Sequence, residues 1–221
     1  MEKDIDVVKI ISFLTFDGHL MKDLSGFYFC SKQRETLKIF ENLMYTKFKL
    51  SGRLEKGTGH GESYKLRFYN TLLSKALYSL GAPKGNKVLT TFSIPAWIKN
   101  NDAFCKAYLS TAFDCEGSIW KESNRFCIRF GIFKNEELLS STLAFIADLK
   151  DMLNRLGVQT TQSWIMKGNF RKDAITTKGV YFKINQDSLP IFAENIGFSD
   201  TFKNNRLISW LGHNKLSSTG S

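Results

Sequence analysis

Apolar residues fall at helical spacing or alternate at strand spacing in almost every stretch of the chain, and the two periods follow each other in a fixed order. A helix is predicted over about 4–16, ending at Gly18, followed by two strand-like runs, the second being "GFYFCSK". "RETLKIFENLMYTKF" has its apolar residues at helical spacing. Strands are expected around 49–55 and in "SYKLRFY", then a helix "LLSKALYSLG" closed by Gly81. The order then starts again. A helix over about 102–116 reaches Gly117, followed by strands in "SIWKES" and "RFCIRFGIFK" and a long helix over about 136–156. Strands near 158–166 and in "VYFKI" and a helix "DSLPIFAENIG" complete the second round, before "FSDTFKNN".

The repeat predicts two similar halves, 1–90 and 102–221, joined by a linker over 91–101. In that linker Pro95 disfavours helix at Ile94. The offset between copies is 99 residues from Asp17 to Glu116, 103 from Ser31 to Lys134 and 116 from Lys87 to Lys203. Growth of this kind fits insertions in hairpin loops such as "KGNFRKDAITTKG", where added length costs little. Two copies make a pseudo-dimer rather than a solenoid.

Within the strands the period of two separates side chains by face. In "RFCIRFGIFK", Phe126, Ile128, Phe130 and Ile132 share one face, and Arg125, Cys127, Arg129 and Gly131 share the other. Lys65 and Arg67 are likewise set against Leu66 and Phe68, and Tyr181 and Lys183 against Phe182 and Ile184. One such strand is an ordinary solvated face. Three at repeat-related positions point to a surface for a polyanion.

Charge supports that direction. The 221 residues carry a net charge of +10, which favours nucleic acid among possible partners. With 43% hydrophobic residues and 19 phenylalanines the chain can bury a substantial core. No apolar run reaches the roughly 18–20 residues of a membrane span, and "MEKDIDVVKI" lacks the build of a signal peptide, so an intracellular, non-secreted protein is expected. Cys30, Cys105, Cys115 and Cys127 are scattered without metal-ligand spacing and read as reduced, buried thiols.

The chemistry concentrates in "IISFLTFDG" and "LSTAFDCEG". Each is the end of a helix that stops in an acid and a glycine, although a helix C-terminus already carries partial negative charge. The glycines suit the left-handed position that closes a helix. Ser12, Ser110, Thr111 and Ala112 are small enough for close helix packing, which would bring Asp17 and Glu116 together. Such a pair needs a divalent cation, and hard carboxylate ligands suit Mg2+, which keeps most of its water and takes phosphate oxygens.

These two motifs resemble the signatures of the LAGLIDADG homing endonucleases, and their presence in one chain resembles that family's monomeric members. The likeness extends over nearly the whole chain through the order of elements and through "LGAPKGNK" and "IPAWI". The first motif departs from the usual pattern, with Thr15 in place of an acid and Ser12 in place of glycine. The resemblance implies an α+β fold of two pseudo-symmetric αββαββα halves, each with a curved antiparallel sheet on DNA and with the motif helices at their interface. It implies a monomer that cuts both strands of a long double-stranded DNA site. Asp17 and Glu116, with the carbonyls of Phe16 and Cys115, would bind Mg2+ or Mn2+, and Ca2+ would bind without supporting cleavage. Lys87 and Lys203 would polarise the attacking water or stabilise the phosphate. A water-organising position corresponds to Lys134 and, in the first half, to Ser31 or Lys32. Arg125 and Arg129 would meet guanine edges, and Lys65, Arg67, Tyr181 and Lys183 would complete the DNA surface. The alternative is a catalytically silent member acting as an intron RNA maturase or DNA-binding protein. No self-splicing element is evident, so a free-standing protein is expected.

Overall fold

The computed structural model describes residues 1–57, 62–123 and 125–218, with side chains described up to residue 212. The chain divides into two compact units, Met1–Tyr108 and Leu109–Ser221.

The first unit begins with α1 (Ile5–Thr15), whose N-terminus is closed by Asp4 accepting from the Val7 N–H at 3.0 Å. The strands β1 (Gly18–Leu20) and β2 (Phe27–Ser31) follow, then α2 (Arg34–Phe48), β3 (Arg53–Lys56), β4 (Tyr64–Phe68) and α3 (Thr71–Ser79). The four strands make one antiparallel sheet in the order β1-β2-β4-β3. Its inner face packs on α1 and α2 through aromatic edges. Phe13 lies 4.9 Å from Phe29 and 5.5 Å from Phe40, and Phe27 stacks on Phe68 at 5.2 Å. A single turn of helix, α4 (Ala96–Lys99), interrupts the stretch read as linker. Pro95 starts it, since proline's fixed φ suits the entry to a helix.

α5 (Asp102–Glu116) begins in the first unit and ends in the second. β5 (Gly117–Glu122), β6 (Arg125–Asn135), α6 (Leu139–Arg155), β7 (Trp164–Phe170), β8 (Thr176–Lys183), α7 (Leu189–Asn195) and α8 (Thr201–Ser218) complete the second unit. Its sheet runs β5-β6-β8-β7, the same order as in the first. Phe113 of α5 sits in its core, 5.2 Å from Phe130 and 4.9 Å from Phe192. Both units therefore show the αββαββα order, in an α+β fold with one four-stranded antiparallel sheet each.

Three details correct the sequence reading. The tract 167–179 is not a loop: β7 runs to Phe170 and β8 starts at Thr176, leaving a tight turn fastened by Arg171 on Asp173 at 3.0 Å. Its polar residues pair through the backbone, which is indifferent to side-chain polarity. A register shift between Lys167 and Phe170 fits the extra length, and the Thr177 hydroxyl bridges the N–H and carbonyl of Asn169. The strand expected from 158 begins only at Trp164, with Thr160 making an isolated bridge to Ile184. Finally, "FSDTFKNN" opens a helix, α8, whose N-terminus Asp200 closes by accepting from the Lys203 N–H at 2.8 Å.

Candidate metal centre and nucleic-acid interface

In the first unit, the last turn of α1 presents carbonyls without helical partners. Lys87 fills them. Its Nζ donates to the carbonyl oxygens of Leu14 at 3.0 Å and Thr15 at 2.9 Å, and also to that of Phe16. Asp17, the next residue, is exposed, and its carbonyl accepts from the Cys30 N–H at 3.3 Å. An ammonium held on the helix end offsets the negative charge that makes an acid awkward there. Gly18 is not in a left-handed conformation, contrary to the sequence expectation. A Cβ there would lie 2.8 Å from the Leu14 Cα, so glycine is required because β1 leaves the helix against its own last turn.

The second unit repeats this arrangement with different support. Lys203 Nζ donates to the Phe113 carbonyl at 3.1 Å and to that of Asp114, in the turn that ends with Glu116. Gly117 also lacks the left-handed conformation, and its Cβ would meet the Phe113 backbone. Lys203 belongs to the first turn of α8, and Asp114 anchors that turn. The Asp114 carboxyl is 8% exposed and accepts from the Ser199 N–H at 3.2 Å and the Asp200 N–H at 3.0 Å. Burial pushes its pKa up to about 6, with the Asp200 carboxylate adding to the effect and the two N–H groups and Lys203 opposing it. Sequence reasoning gave Asp114 no role. Thr15, at the matching position, turns its hydroxyl back to the Ile11 carbonyl at 2.8 Å, and Lys87 comes from a loop instead of a helix.

Strand register makes the correspondence between units exact at the residue level. Gly18 faces Phe29 and Gly117 faces Phe130, so β2 and β6 are related by 101 residues. Phe29 faces Leu66 and Phe130 faces Phe182, which equates Lys65 with Tyr181 and Arg67 with Lys183. The register of β2 ends at Ser31, which it sets against Ile132, so Lys134, paired with Lys178 further along β6, has no register partner in β2. Lys134 is 5% exposed and shares the inner side of β6 with Phe130 and Ile132.

The outer faces carry the basic residues. In the first unit Tyr28 stacks on His19 at 4.9 Å, with Lys65 4.5 Å and Arg67 5.3 Å from its ring centre. Burial holds His19 below its ordinary pKa, and the charges of Lys87, Lys65 and Arg67 push it the same way, so this face is electropositive. Asp17 belongs to the same neighbourhood. Burial raises the Cys30 thiol, and the Asp17 carboxylate adds to that rise. In the second unit Tyr181 occupies the centre, stacked on Trp164 at 5.9 Å. Arg129 lies 4.9 Å from the Tyr181 ring and 5.3 Å from that of Trp120, and Lys183 lies 5.2 Å from Trp120. Burial raises the Tyr181 hydroxyl, and Glu116 contributes in the same direction against Arg129, so Glu116 too is felt at the outer face. Arg125 is exposed at the start of β6. Two cations are compensated: Arg67 by Glu55 at 3.2 Å and Lys183 by Glu122 at 3.7 Å.

Comparison with known proteins agrees with this geometry. Residues 103–197 match the LAGLIDADG-like domain family.

The fold of both halves is that of homing endonucleases. A structure of I-DmoI in complex with DNA and Ca aligns with a TM-score of 0.52 at 14% identity, over 86% of this chain and 90% of that one. I-WcaI bound to its DNA recognition sequence gives 0.55 at 12%, over 87% and 80%. Full-length DUF199/WhiA from Thermatoga maritima gives 0.55 at 14%, over 95% and 62%. In sequence the chain is 26% identical over 208 residues to a tRNA-splicing ligase RtcB of Pyrococcus abyssi, covering 87% of this chain and 22% of the relative. It is 29% identical over 164 residues to a replication factor C small subunit of Methanocaldococcus jannaschii, covering 69% and 9%. The chain thus spans less than a quarter of the length of these relatives.

Each helix end offers one carboxylate and neighbouring carbonyls to a divalent cation. Among the described residues no group of three or more His, Cys, Asp or Glu side chains could cage a metal. One carboxylate per helix end fits a cation that keeps most of its water and takes phosphate oxygens. The Phe16 carbonyl fits less well, because it already accepts from the Lys87 ammonium, a like charge to any cation placed there. Among the described residues no helix is long and apolar enough to cross a membrane.

Proposed function

We propose that the chain is a site-specific DNA endonuclease that hydrolyses phosphodiesters of both strands of a long duplex target with a divalent cation, acting as an intracellular monomer. One observation carries this reading: in each unit a carboxylate at a helix end, Asp17 or Glu116, sits beside a lysine, Lys87 or Lys203, held on the same turn, and each acid is felt at a basic outer sheet face. Two separately built copies of that arrangement, one on a loop lysine and one on a helix lysine, argue for a shared chemical task.

In this reading Asp17 and Glu116 hold Mg2+ or Mn2+, with Cys115 and Phe16 carbonyls as further donors; the cation supplies Lewis acidity and a water of lowered pKa. Lys87 and Lys203 place fixed positive charge beside the scissile phosphate, where negative charge grows. Lys134 in the second unit and Ser31 or Lys32 in the first are the candidates for orienting the attacking water. Arg125 and Arg129 contact base edges, with the Tyr181 ring against Arg129, and Lys65 contacts a backbone phosphate, while Arg67 and Lys183 add to the basic faces with Glu55 and Glu122 beside them.

A second reading, a DNA-binding protein or RNA maturase without cleavage, draws on one observation: the carbonyl acceptors of Lys87 and Lys203 give both lysines a purely structural task as well. The fold does not decide, since DUF199/WhiA shares it. Incubating the protein in Mg2+ with the sequence flanking its own gene, rejoined without the insert, separates the two. A double-strand break is expected, and retention of the duplex without a break under Mg2+ and Mn2+ supports the silent reading.

A further inference from the structure

The two sheets carry the same outer-face pair with its members exchanged. By register Tyr28 of β2 corresponds to Arg129 of β6, and Lys65 of β4 corresponds to Tyr181 of β8. Each unit therefore has one tyrosine and one cation on the same diagonal between its two central strands, with the tyrosine on β2 in one and on β8 in the other. In both, the cation lies over the ring, Lys65 4.5 Å from Tyr28 and Arg129 4.9 Å from Tyr181.

Charge compensation singles out these cations from their neighbours. Arg67 and Lys183 occupy one register position, and each is paired with an acid from a different strand, Glu55 of β3 or Glu122 of β5. Among the described residues no carboxylate lies within ion-pair distance of Lys65 or Arg129. Rings hold them instead. Ring faces attract a cation without consuming its hydrogen-bond donors, which stay available to a ligand.

Arg129 is the more tightly confined, with Tyr181 and Trp120 rings at 4.9 Å and 5.3 Å. Tyr181 is in turn immobilised. It is 9% exposed, stacks on Trp164, and lies over Gly131 and Gly179, where a side chain would strike its ring. A guanidinium held this way loses little freedom when its fork meets the two acceptors of a guanine edge, so more of the contact energy appears as discrimination.

We infer that Tyr181 and Trp120 are positioning residues that fix Arg129 for base discrimination, and that Tyr28 fixes Lys65 for its phosphate contact. The inference rests on the duplex-DNA reading and names what sets sequence preference within it.

The test selects a randomised duplex DNA pool on the full chain and sequences what is retained. Arg129→Ala should relax one or two positions by about 5- to 150-fold, the scale of a bidentate base contact. Tyr181→Leu and Trp120→Leu should each relax those same positions by about 2- to 5-fold, the scale of one cation–π contact. Tyr181→Phe, which keeps the ring, should restore them, and adding Tyr181→Leu to Arg129→Ala should relax nothing further. A readout without DNA accompanies it: the Arg129 Nε–H resonance should be ring-shifted in the wild type and in Tyr181→Phe, less shifted in Tyr181→Leu or Trp120→Leu alone, and unshifted when both rings are removed. If Arg129→Ala relaxes a position while Tyr181→Leu and Trp120→Leu both leave it strict, the inference is overturned and the DNA reading stands. If the wild type enriches no duplex, the DNA reading falls and takes the inference with it.

Discussion

The ring of Tyr181 lies across the backbone of Gly131, in the space where any other residue would have its Cβ. The two face each other in the β6–β8 register, so the fit is a cross-strand one. Glycine in a strand interior is weak by itself, and here a neighbouring ring covers the gap and supplies the missing packing. Gly131→Ala should displace Tyr181, weaken its stack on Trp164 and lower stability by about 1–3 kcal/mol. Denaturant titration checks this. The double variant Gly131→Ala/Tyr181→Ala should lose clearly less than the sum of the single losses, because the clash is gone.

Neutralising either acid should stop cleavage. Asp17→Asn or Glu116→Gln is expected to leave folding and DNA binding largely intact, since neither carboxylate fills a core position. Gel assays of linear product in Mg2+ and Mn2+, beside a binding isotherm in Ca2+, provide the measurement. Cutting at the wild-type rate by either variant would remove the proposed centre.

The lysines answer to two tasks, and the two can be separated. Lys87→Met and Lys203→Met should slow cleavage by roughly 10²–10³, the scale for losing one electrostatic stabiliser. As helix-end partners they should also each contribute up to about 2 kcal/mol of stability. Single-turnover rates and denaturant midpoints measured together test both. A stability loss with an unchanged rate would leave them as caps alone.

Asp114 should give the second unit a pH dependence. Its folded pKa, about 6, stands above the ordinary carboxylate value of 3.8 because the carboxyl is buried. The fold therefore favours the protonated form, and the stability this contributes is full below 3.8 and is lost as pH rises through about 6. The shift corresponds to at most ~3 kcal/mol across that range. Urea unfolding without metal should show stability falling between about pH 4 and pH 7, and Asp114→Asn should flatten that limb. An identical slope in the variant would assign the titration elsewhere.

Much of this was legible in the chain because it depends on local period and on repetition. "RETLKIFENLMYTKF" coincides with α2, and the helix expected over 102–116 coincides with α5. What was missed depends on partners distant in sequence. No local signal shows that Gly18 and Gly117 are required by the approach of β1 and β5 to a preceding helix turn rather than by a left-handed φ. Asp114 read as part of a motif, yet its partners Ser199 and Asp200 are about 85 residues away. That Ser31 lines up with Ile132 and not with Lys134 could come only from the register, because the offset drifts along the chain. α8 did leave a trace, since Asp200 three residues before Lys203 is an N-cap pattern.

The compensated cations yield a prediction whose sign is opposite to that for an ordinary DNA-binding lysine. Lys183 is held by Glu122 at 3.7 Å, and Glu122 also accepts from the Cys127 thiol. An exposed pair of this kind contributes little to stability, but it occupies the ammonium that would otherwise meet a phosphate. Lys183→Ala should thus change the salt dependence of duplex binding by clearly less than the one unit of slope expected for a free phosphate contact. Removing the acid should do more. Glu122→Gln frees Lys183 and removes a negative charge from the outer face, so binding should tighten at low salt and its slope steepen by about one unit. Glu55→Gln should act alike through Arg67, which occupies the matching register position. Binding isotherms on one duplex at several salt concentrations measure all three variants. A shallower slope in Glu122→Gln would mean that the carboxylate helps hold Lys183 where a phosphate needs it, and the compensation argument would fail for both sheets.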